Sequence, residues 1–234
     1  MKALLTLLRW DVVMQVRYGF WVSGLAITVT WILILRTLSP AYLEIWLPCV
    51  LYFDIAIIGL MFIAGVLFFE KRQGVIDALV VTPVPTADWL ASKVLSLTLL
   101  TTTVAGVLVL GTAGLRVDWL RLVPSFALVS ALFTVAGFLL ASRFESVGGF
   151  LAAFGLLGLP LALPVLDYFE IWAHPLLWLN PAHPGLTLIR HSFRPESPLE
   201  LGAGLLLSVF WIVLGFRLGL KAFHRRVSWR RGAA

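Results

Sequence analysis

The chain has 234 residues, of which 60% are hydrophobic and only 13% are charged. Soluble domains average about 45–50% apolar and about 25% charged residues, so this composition excludes an ordinary soluble domain and predicts one polytopic membrane domain over residues 1–234. The net charge of +6 is explained by basic residues at cytoplasmic ends of spans, and we expect no nucleic-acid partner.

The first 18 residues predict an amphipathic helix on the cytoplasmic membrane surface. At about 100° per residue, Leu5, Leu8, Val12 and Val16 share one face, and polar side chains gather on another. Such a helix lies in the interface plane and contacts membrane lipids. The alternative is that this segment is only the start of the first span.

Six stretches reach the roughly 20 apolar residues that a bilayer core requires. They cover residues 20–38, 47–69, 94–115, 122–142, 147–166 and 199–218. Pro160 and Pro164 predict a kink near the outer end of the fifth span. The predicted fold is therefore an all-α integral membrane protein with six transmembrane helices.

The distribution of basic residues predicts that both termini are cytoplasmic. With that orientation, the outer side holds five of the 18 Lys and Arg residues, which leaves 13 for the cytoplasmic side. The five are Arg36, Arg116, Arg121, Arg190 and Arg194.

A cluster of charges, glycine and prolines separates spans two and three, from Glu70 to Lys93. Its sequence is EKRQGVIDALVVTPVPTADWLASK. Thr82-Pro83 ends a short helical segment, Val75–Val80, because a residue before proline avoids the helical region. Thr86 is predicted to cap the next helix. We expect a structured cytoplasmic elbow that another protein contacts.

The segment 167–198 is rich in aromatic residues and interrupted by prolines, so it predicts no full span. We expect two short re-entrant or interfacial helices on the outer side, one ending near Trp178 and one from about Pro184 to Arg190.

One carboxylate, Asp54, falls inside the second predicted span, where a charge is costly and usually functional. Arg36 is its candidate partner. The alternatives are a residue that lines a substrate path, a structural ion pair and a neutral Asp against a neighbouring helix.

Motifs of catalysis are missing from the sequence. The chain has no G-x-x-x-x-G-K-[ST] phosphate loop, no G-x-S-x-G and no H-E-x-x-H. The spacing of His174, His183 and His191 matches no metal site. We therefore expect no enzyme, metal or cofactor on this chain. A six-span membrane enzyme and a non-transporting scaffold subunit remain alternatives.

The elbow sequence resembles the loop between spans two and three in permease subunits of type-2 ABC exporters. An N-terminal amphipathic helix that ends in Arg17-Tyr18 and the segment Leu179–Arg190, with Asn180-Pro181 near its start, are also similar to that family. The resemblance covers the whole chain in layout. A related alternative is a haem-exporter permease, which also has six spans.

The resemblance implies a non-catalytic transport subunit of a bacterial inner membrane. Such permeases pair as homodimers or heterodimers, and a separate ATP-binding cassette subunit carries ATP and Mg²⁺. The elbow would be the coupling helix. Apolar spans favour export of a hydrophobic or amphipathic substrate. The expected coupling residues are Glu70, Lys71, Arg72, Gly74, Ile76, Asp77, Leu79, Val80, Thr82 and Pro83; Asn180, Pro181 and Arg190 mark the outer segment.

Overall fold

The computed structural model describes residues 2–115, 117–172, 174–194 and 197–232, and all regular elements in these ranges are helices. In chain order they are α1 (Lys2–Arg17), α2 (Phe20–Leu35), α3 (Pro40–Arg72), α4 (Val75–Val80), α5 (Thr86–Thr112), α6 (Trp119–Ala141), α7 (Val147–Leu157), α8 (Leu159–Ala162), α9 (Pro164–Tyr168), a 3₁₀ helix (Pro175–Leu179), α10 (His183–Phe193) and α11 (Pro198–Gly232).

Four of these helices are long and apolar enough to cross a membrane by themselves: α3, α5, α6 and the Pro198–Phe223 part of α11. Two bent helix pairs bring the number to six if each counts as one span. One pair is α1 with α2, bent by 61°, and the other joins α7 to α8 and α9, bent by 49°. The all-helical membrane fold is confirmed, with four to six spans.

The first predicted span, residues 20–38, is shorter in the structure. Helix α2 has 16 residues and ends at Leu35, and a sharp turn at Gly19 (φ 77°) separates it from α1. A positive φ favours glycine because it has no Cβ. The amphipathic segment and the first span therefore meet at a fixed bend.

The second span begins earlier than predicted, at Pro40 and not at residue 47, and Pro48 lies inside the helix. Pro40 occupies the first helical turn, where a missing N–H costs nothing. The predicted cap at Thr86 is wrong, because Pro85 is the capping residue of α5 and no side chain caps it. Apolar length thus located the spans but not their ends.

The long helices define two ends of a bundle. At the elbow end, α3 and α6 finish and α5 begins; at the far end, α3 and α6 begin and α5 finishes. One buried apolar cluster, around Tyr52, Phe126 and Ile189, includes residues of the far half. A second, around Phe68 and Phe138, fills the elbow half.

Helix α10 is not a surface helix. It packs against α3, α6 and α11, and most of its residues between His183 and Ser192 are buried. The predicted boundaries of the two short helices agree with the 3₁₀ helix and with α10. The predicted kink of the fifth span is present, but the break between α7 and α8 lies in the middle of residues 147–166 and not near one end. Pro160 and Pro164 lie in the first turns of α8 and α9.

Candidate functional site at the elbow

The elbow, residues 70–93, reverses the chain from α3 into α5 through two turns, one on each side of the short helix α4. Gly74 precedes α4 with φ 70°, a left-handed conformation that costs other residues about 1–2 kcal/mol. After α4, Pro83 and Pro85 fix their own φ angles and so limit bending. The result is a short helix held across the ends of α3 and α5.

A buried ionic cluster closes the base of the elbow. The Lys93 Nζ lies 2.6 Å from Asp11 Oδ1 and 2.6 Å from Glu70 Oε1, and the three side chains are only 4%, 13% and 16% exposed. Glu70 ends one side of the elbow and Lys93 the other, while Asp11 belongs to α1. One ammonium group therefore joins three helices.

Each carboxylate of this cluster also accepts a hydrogen bond from a neutral donor. Ser92 Oγ donates to Asp11 Oδ2 at 2.6 Å, and Trp89 Nε1 donates to Glu70 Oε2 at 3.1 Å. A buried ion pair is tolerated when further hydrogen bonds satisfy its remaining atoms, as they do here. We call Asp11, Glu70, Trp89, Ser92 and Lys93 the elbow clamp.

Helix α1 is attached to the elbow beyond the clamp. Gln15 Nε2 donates to Ser96 Oγ at 2.8 Å, and Gln73 Nε2 donates to the Tyr18 hydroxyl at 2.5 Å. The Tyr18 ring stacks on Phe69, with centroids 4.9 Å apart. Thus both the middle and the end of α1 contact the base of the elbow.

Helix α1 meets α5 through a partly polar face. Gln15 is buried and Asp11 is 13% exposed at the side chain, because polar partners on α5 hold both residues. Leu8 borders that face. Leu5 and Val16 of the predicted apolar face are 61% and 59% exposed on the chain, and their contact with the membrane surface stays a prediction.

The coupling residues predicted from the elbow sequence fall into two groups. Glu70 faces inward and pairs with Lys93 of the same chain, so it is not part of the exposed surface of the elbow. Lys71 also bonds within the chain, donating to Phe144 O at 2.8 Å. Ile76 and Leu79 are partly buried against the elbow-half core, because α4 lies on the ends of the spans.

The outward surface of α4 and the following turn is formed by other residues. Val81 is 83% exposed. The exposed residues around it are Arg72, Asp77, Ala78, Thr82 and Pro83. The side chain of Val80 lies outside the described part of the structure. This surface is where the elbow is open to a partner.

The structure does not pair Asp54 with Arg36. Arg36 Nε donates to Gly111 O at 2.8 Å, at the far end of α5. Asp54 is 4% exposed, and its Oδ2 has no hydrogen-bond partner among the described residues. The predicted ion pair is therefore wrong, because Arg36 follows the end of α2 and is held by α5.

The asparagine–proline segment joins the broken fifth span to α10. Asn180 Nδ2 donates to Pro160 O at 2.6 Å, and its Oδ1 accepts from Ala182 N at 3.0 Å. Pro181 lies within this turn. Arg190 lies further along α10, with its guanidinium 5.8 Å from the Tyr168 ring centroid.

Sequence reasoning missed the two residues of α1 that bond to α5, Asp11 of the elbow clamp and Gln15 next to it. Asp11 and Gln15 are four residues apart, so they share one face of α1 with Leu8. Two polar residues on a mostly apolar helix face were a signal that this face meets polar partners. Their partners are more than 80 positions away, so no local pattern could identify them.

Comparison with known proteins agrees with this architecture. Residues 2–231 match the model of the fluoroquinolones export permease protein family. The chain is also similar to the fluoroquinolones export permease proteins of Mycobacterium tuberculosis strains CDC 1551 / Oshkosh and ATCC 25618 / H37Rv. Each is 32% identical over 235 residues, covering 99% of both chains. The chain therefore belongs to the fluoroquinolones export permease protein family and is a permease subunit of the ABC-2 type.

Proposed function

We propose that this chain is the membrane-spanning subunit of an ATP-driven drug exporter and that the elbow receives the motion of a separate ATP-binding cassette subunit. The observation that carries the proposal is the elbow clamp. Because Lys93 holds Glu70 and Asp11 together, a push on α4 reaches α3, α5 and α1 at once.

The stiffness of the elbow suits this role. A flexible loop would absorb displacement, whereas Pro83 and Pro85 restrict their own φ angles in the segment that joins α4 to α5. Helix α3 has 33 residues and α5 has 27. Two long helices that share one buried ion pair at their ends would move as levers.

The partner would meet the exposed side of the elbow. Asp77, Ala78 and Val81 combine one charge with a small and an apolar side chain, a mixture that fits a shallow cleft. ATP and Mg²⁺ would bind on the partner, and a second permease copy, identical or related, would complete the membrane part. The basic residues of the elbow end favour a cytoplasmic location for it and for both termini.

The substrate is proposed to be an amphipathic drug-sized molecule, of which fluoroquinolones are the first candidates. The relatives from M. tuberculosis carry that substrate in their names. Apolar spans that hold few charges fit an amphipathic cargo better than a highly charged one. Transport would be outward across the plasma membrane of a bacterium.

The test is affinity purification of the chain from its native membrane in mild detergent, with partners identified by mass spectrometry. We expect an ATP-binding subunit to co-purify and Val81→Lys to lose it. Leu176→Lys is the matched control, because Leu176 is also exposed but lies at the far end. Equal recovery of the ATP-binding subunit with both variants would contradict the proposed docking surface.

Norfloxacin efflux from cells that express the complex provides the second readout. The rate of norfloxacin efflux should fall in the Val81→Lys variant and should equal that of the wild type in the Leu176→Lys variant. If the ATP-binding subunit co-purifies but the cells do not export norfloxacin, the proposed contact with that subunit is supported. The assignment of fluoroquinolones as the substrate is then overturned.

A further inference from the structure

The far end of the bundle holds a cavity of about 390 Å³ that the elbow does not involve. It lies between the end of the broken fifth span, the 3₁₀ helix, α10 and the start of α11. Its wall includes Asp167, Tyr168, Trp178, His183, Arg190 and Glu200. This volume lies in the range of about 300–1,000 Å³ that drug-sized ligands occupy.

The cavity is built on a fixed polar pair. His183 Nε2 lies 3.0 Å from Asp167 Oδ2, and the histidine side chain is only 5% exposed. The Trp178 ring packs on His183 with centroids 4.8 Å apart. Asp167 is thus held in place by His183, and one buried nitrogen of the wall, His183 Nδ1, lacks a hydrogen-bond partner among the described residues.

The charges of the wall favour a cation. Asp167 and Glu200 are carboxylates, and Arg190 is the guanidinium among the wall residues, so the sum is negative when His183 is neutral. Arg190 lies over the Tyr168 ring and separates this cavity from a neighbouring one of about 200 Å³. The guanidinium of Arg190 therefore lies at one edge of the cavity, and the part of the wall around Asp167 is acidic.

The aromatic groups of the wall define the rest of the ligand. Tyr168 and Trp178 offer ring faces that bind flat apolar surfaces and also attract cations. We propose that this cavity binds a drug-sized aromatic molecule through a protonated amine, with Asp167 and Glu200 as its counter-charges. The inference rests on the proposed export function in that it assigns a place to the exported molecule.

Protection of an engineered cysteine tests the site without requiring transport. Thr187 also lines the cavity, so Thr187→Cys would be introduced together with Cys49→Ala into the full-length chain. The chain would be purified into nanodiscs, in which both membrane faces meet water. Leu176→Cys is the control, because Leu176 is exposed at the same end and is not part of the wall.

The probes are norfloxacin, which carries a protonated amine, and N-acetylnorfloxacin, which lacks it. Norfloxacin should slow the reaction of Thr187→Cys with a polar maleimide and leave Leu176→Cys unaffected. An about tenfold higher concentration of N-acetylnorfloxacin should be needed for equal protection, since the loss of a charge–charge contact weakens binding by roughly that factor. Adding Glu200→Gln should reduce the preference for norfloxacin, because Asp167 is then the one carboxylate left in the described wall.

Three results would overturn the inference: equal protection by both probes, an unchanged preference in Glu200→Gln, and no protection at concentrations at which the complex exports norfloxacin. Protection with the predicted preference supports the cavity even where no ATP-binding subunit co-purifies, a result that would count against the proposed function alone. The two proposals therefore fail separately.

Discussion

The residue that organises the elbow end is Lys93. Its ammonium group is almost completely buried and has two carboxylates at 2.6 Å, so removing it leaves two largely buried negative charges without their counter-charge. Breaking a buried pair in this way costs about 3–5 kcal/mol, whereas an exposed pair is worth about 0–1 kcal/mol.

We therefore expect Lys93→Met to lower thermal stability strongly, by about 3–5 kcal/mol in the free energy of unfolding. The measurement is the melting temperature of detergent-solubilised protein, followed by fluorescence-detected size exclusion. Arg9→Met, on the exposed face of α1, is the control and should leave the melting temperature within about 1–2 °C of the wild type. Equal melting of Lys93→Met and wild type would show that the clamp carries little stability.

Asp54 is the second residue with a clear expectation. It is buried within α3 with one oxygen unpaired, so its charge is not required by any partner seen among the described residues. Asp54→Asn should therefore leave folding and binding of the ATP-binding subunit intact but change the rate of norfloxacin efflux. An unchanged rate would favour a structural role for this side chain.

The sequence predicted Asp54 as buried but could not predict what surrounds it. A pairing between Arg36 and Asp54 seemed reasonable because both residues were placed near the outer side. The actual neighbour of Arg36 is Gly111 O, since α2 packs against α5. Such choices depend on which helices pack together, and hydropathy does not determine that.

At the scale of elements, the elbow was the part best predicted from the sequence. The short helix Val75–Val80 is where Gly74, Thr82 and Pro83 indicated it. The sequence left open whether Ile76 and Leu79 meet a partner or pack on the spans, because a six-residue helix has no room for a periodic pattern. The clamp was not foreseen because its partners come from α1 and α5.

Gly74 gives the sharpest test of elbow geometry. Nothing lies within 4 Å of a Cβ built there, and φ is +70°. Gly74→Ala should therefore lower the free energy of unfolding only by the cost of a left-handed backbone conformation, about 1–2 kcal/mol. Gly74→Asn should lower it less, because asparagine tolerates this conformation. The melting temperatures of the two variants check this, and an Ala variant as stable as the Asn variant would contradict the left-handed turn.

The close packing of α3 against α6 leads to a second prediction about the helices. A Cβ at Gly137 would lie 2.7 Å from Leu60 Cα and 2.9 Å from Leu60 O, so the two helices approach to backbone contact. Gly137→Leu should therefore reduce the yield of folded protein, with a penalty of about 1–3 kcal/mol or more.

The matched control is Gly202→Leu in α11, where an added Cβ meets nothing within 4 Å. This variant should retain the wild-type size-exclusion profile. If both leucine variants behave alike, the close approach of α3 and α6 is not what limits folding.

At the scale of the whole molecule, composition alone predicted an all-helical membrane protein, and the structure agrees. The six predicted spans correspond to four long helices and two bent pairs, because α2 is short and the fifth span breaks into three helices. The molecule has two specialised ends: a clamped elbow with an exposed surface, and a polar cavity beneath α10. In our proposals, the first end meets the ATP-binding subunit and the second binds the exported molecule.

Photo-crosslinking in the native membrane would show whether the exposed face of the elbow touches an ATP-binding subunit. p-Benzoylphenylalanine would replace Val81 in one variant and Leu176 in the other, since both side chains are exposed, at opposite ends. We expect a crosslink from position 81 to an ATP-binding subunit and none from position 176. Transport that remains intact without any such crosslink from position 81 would contradict this contact.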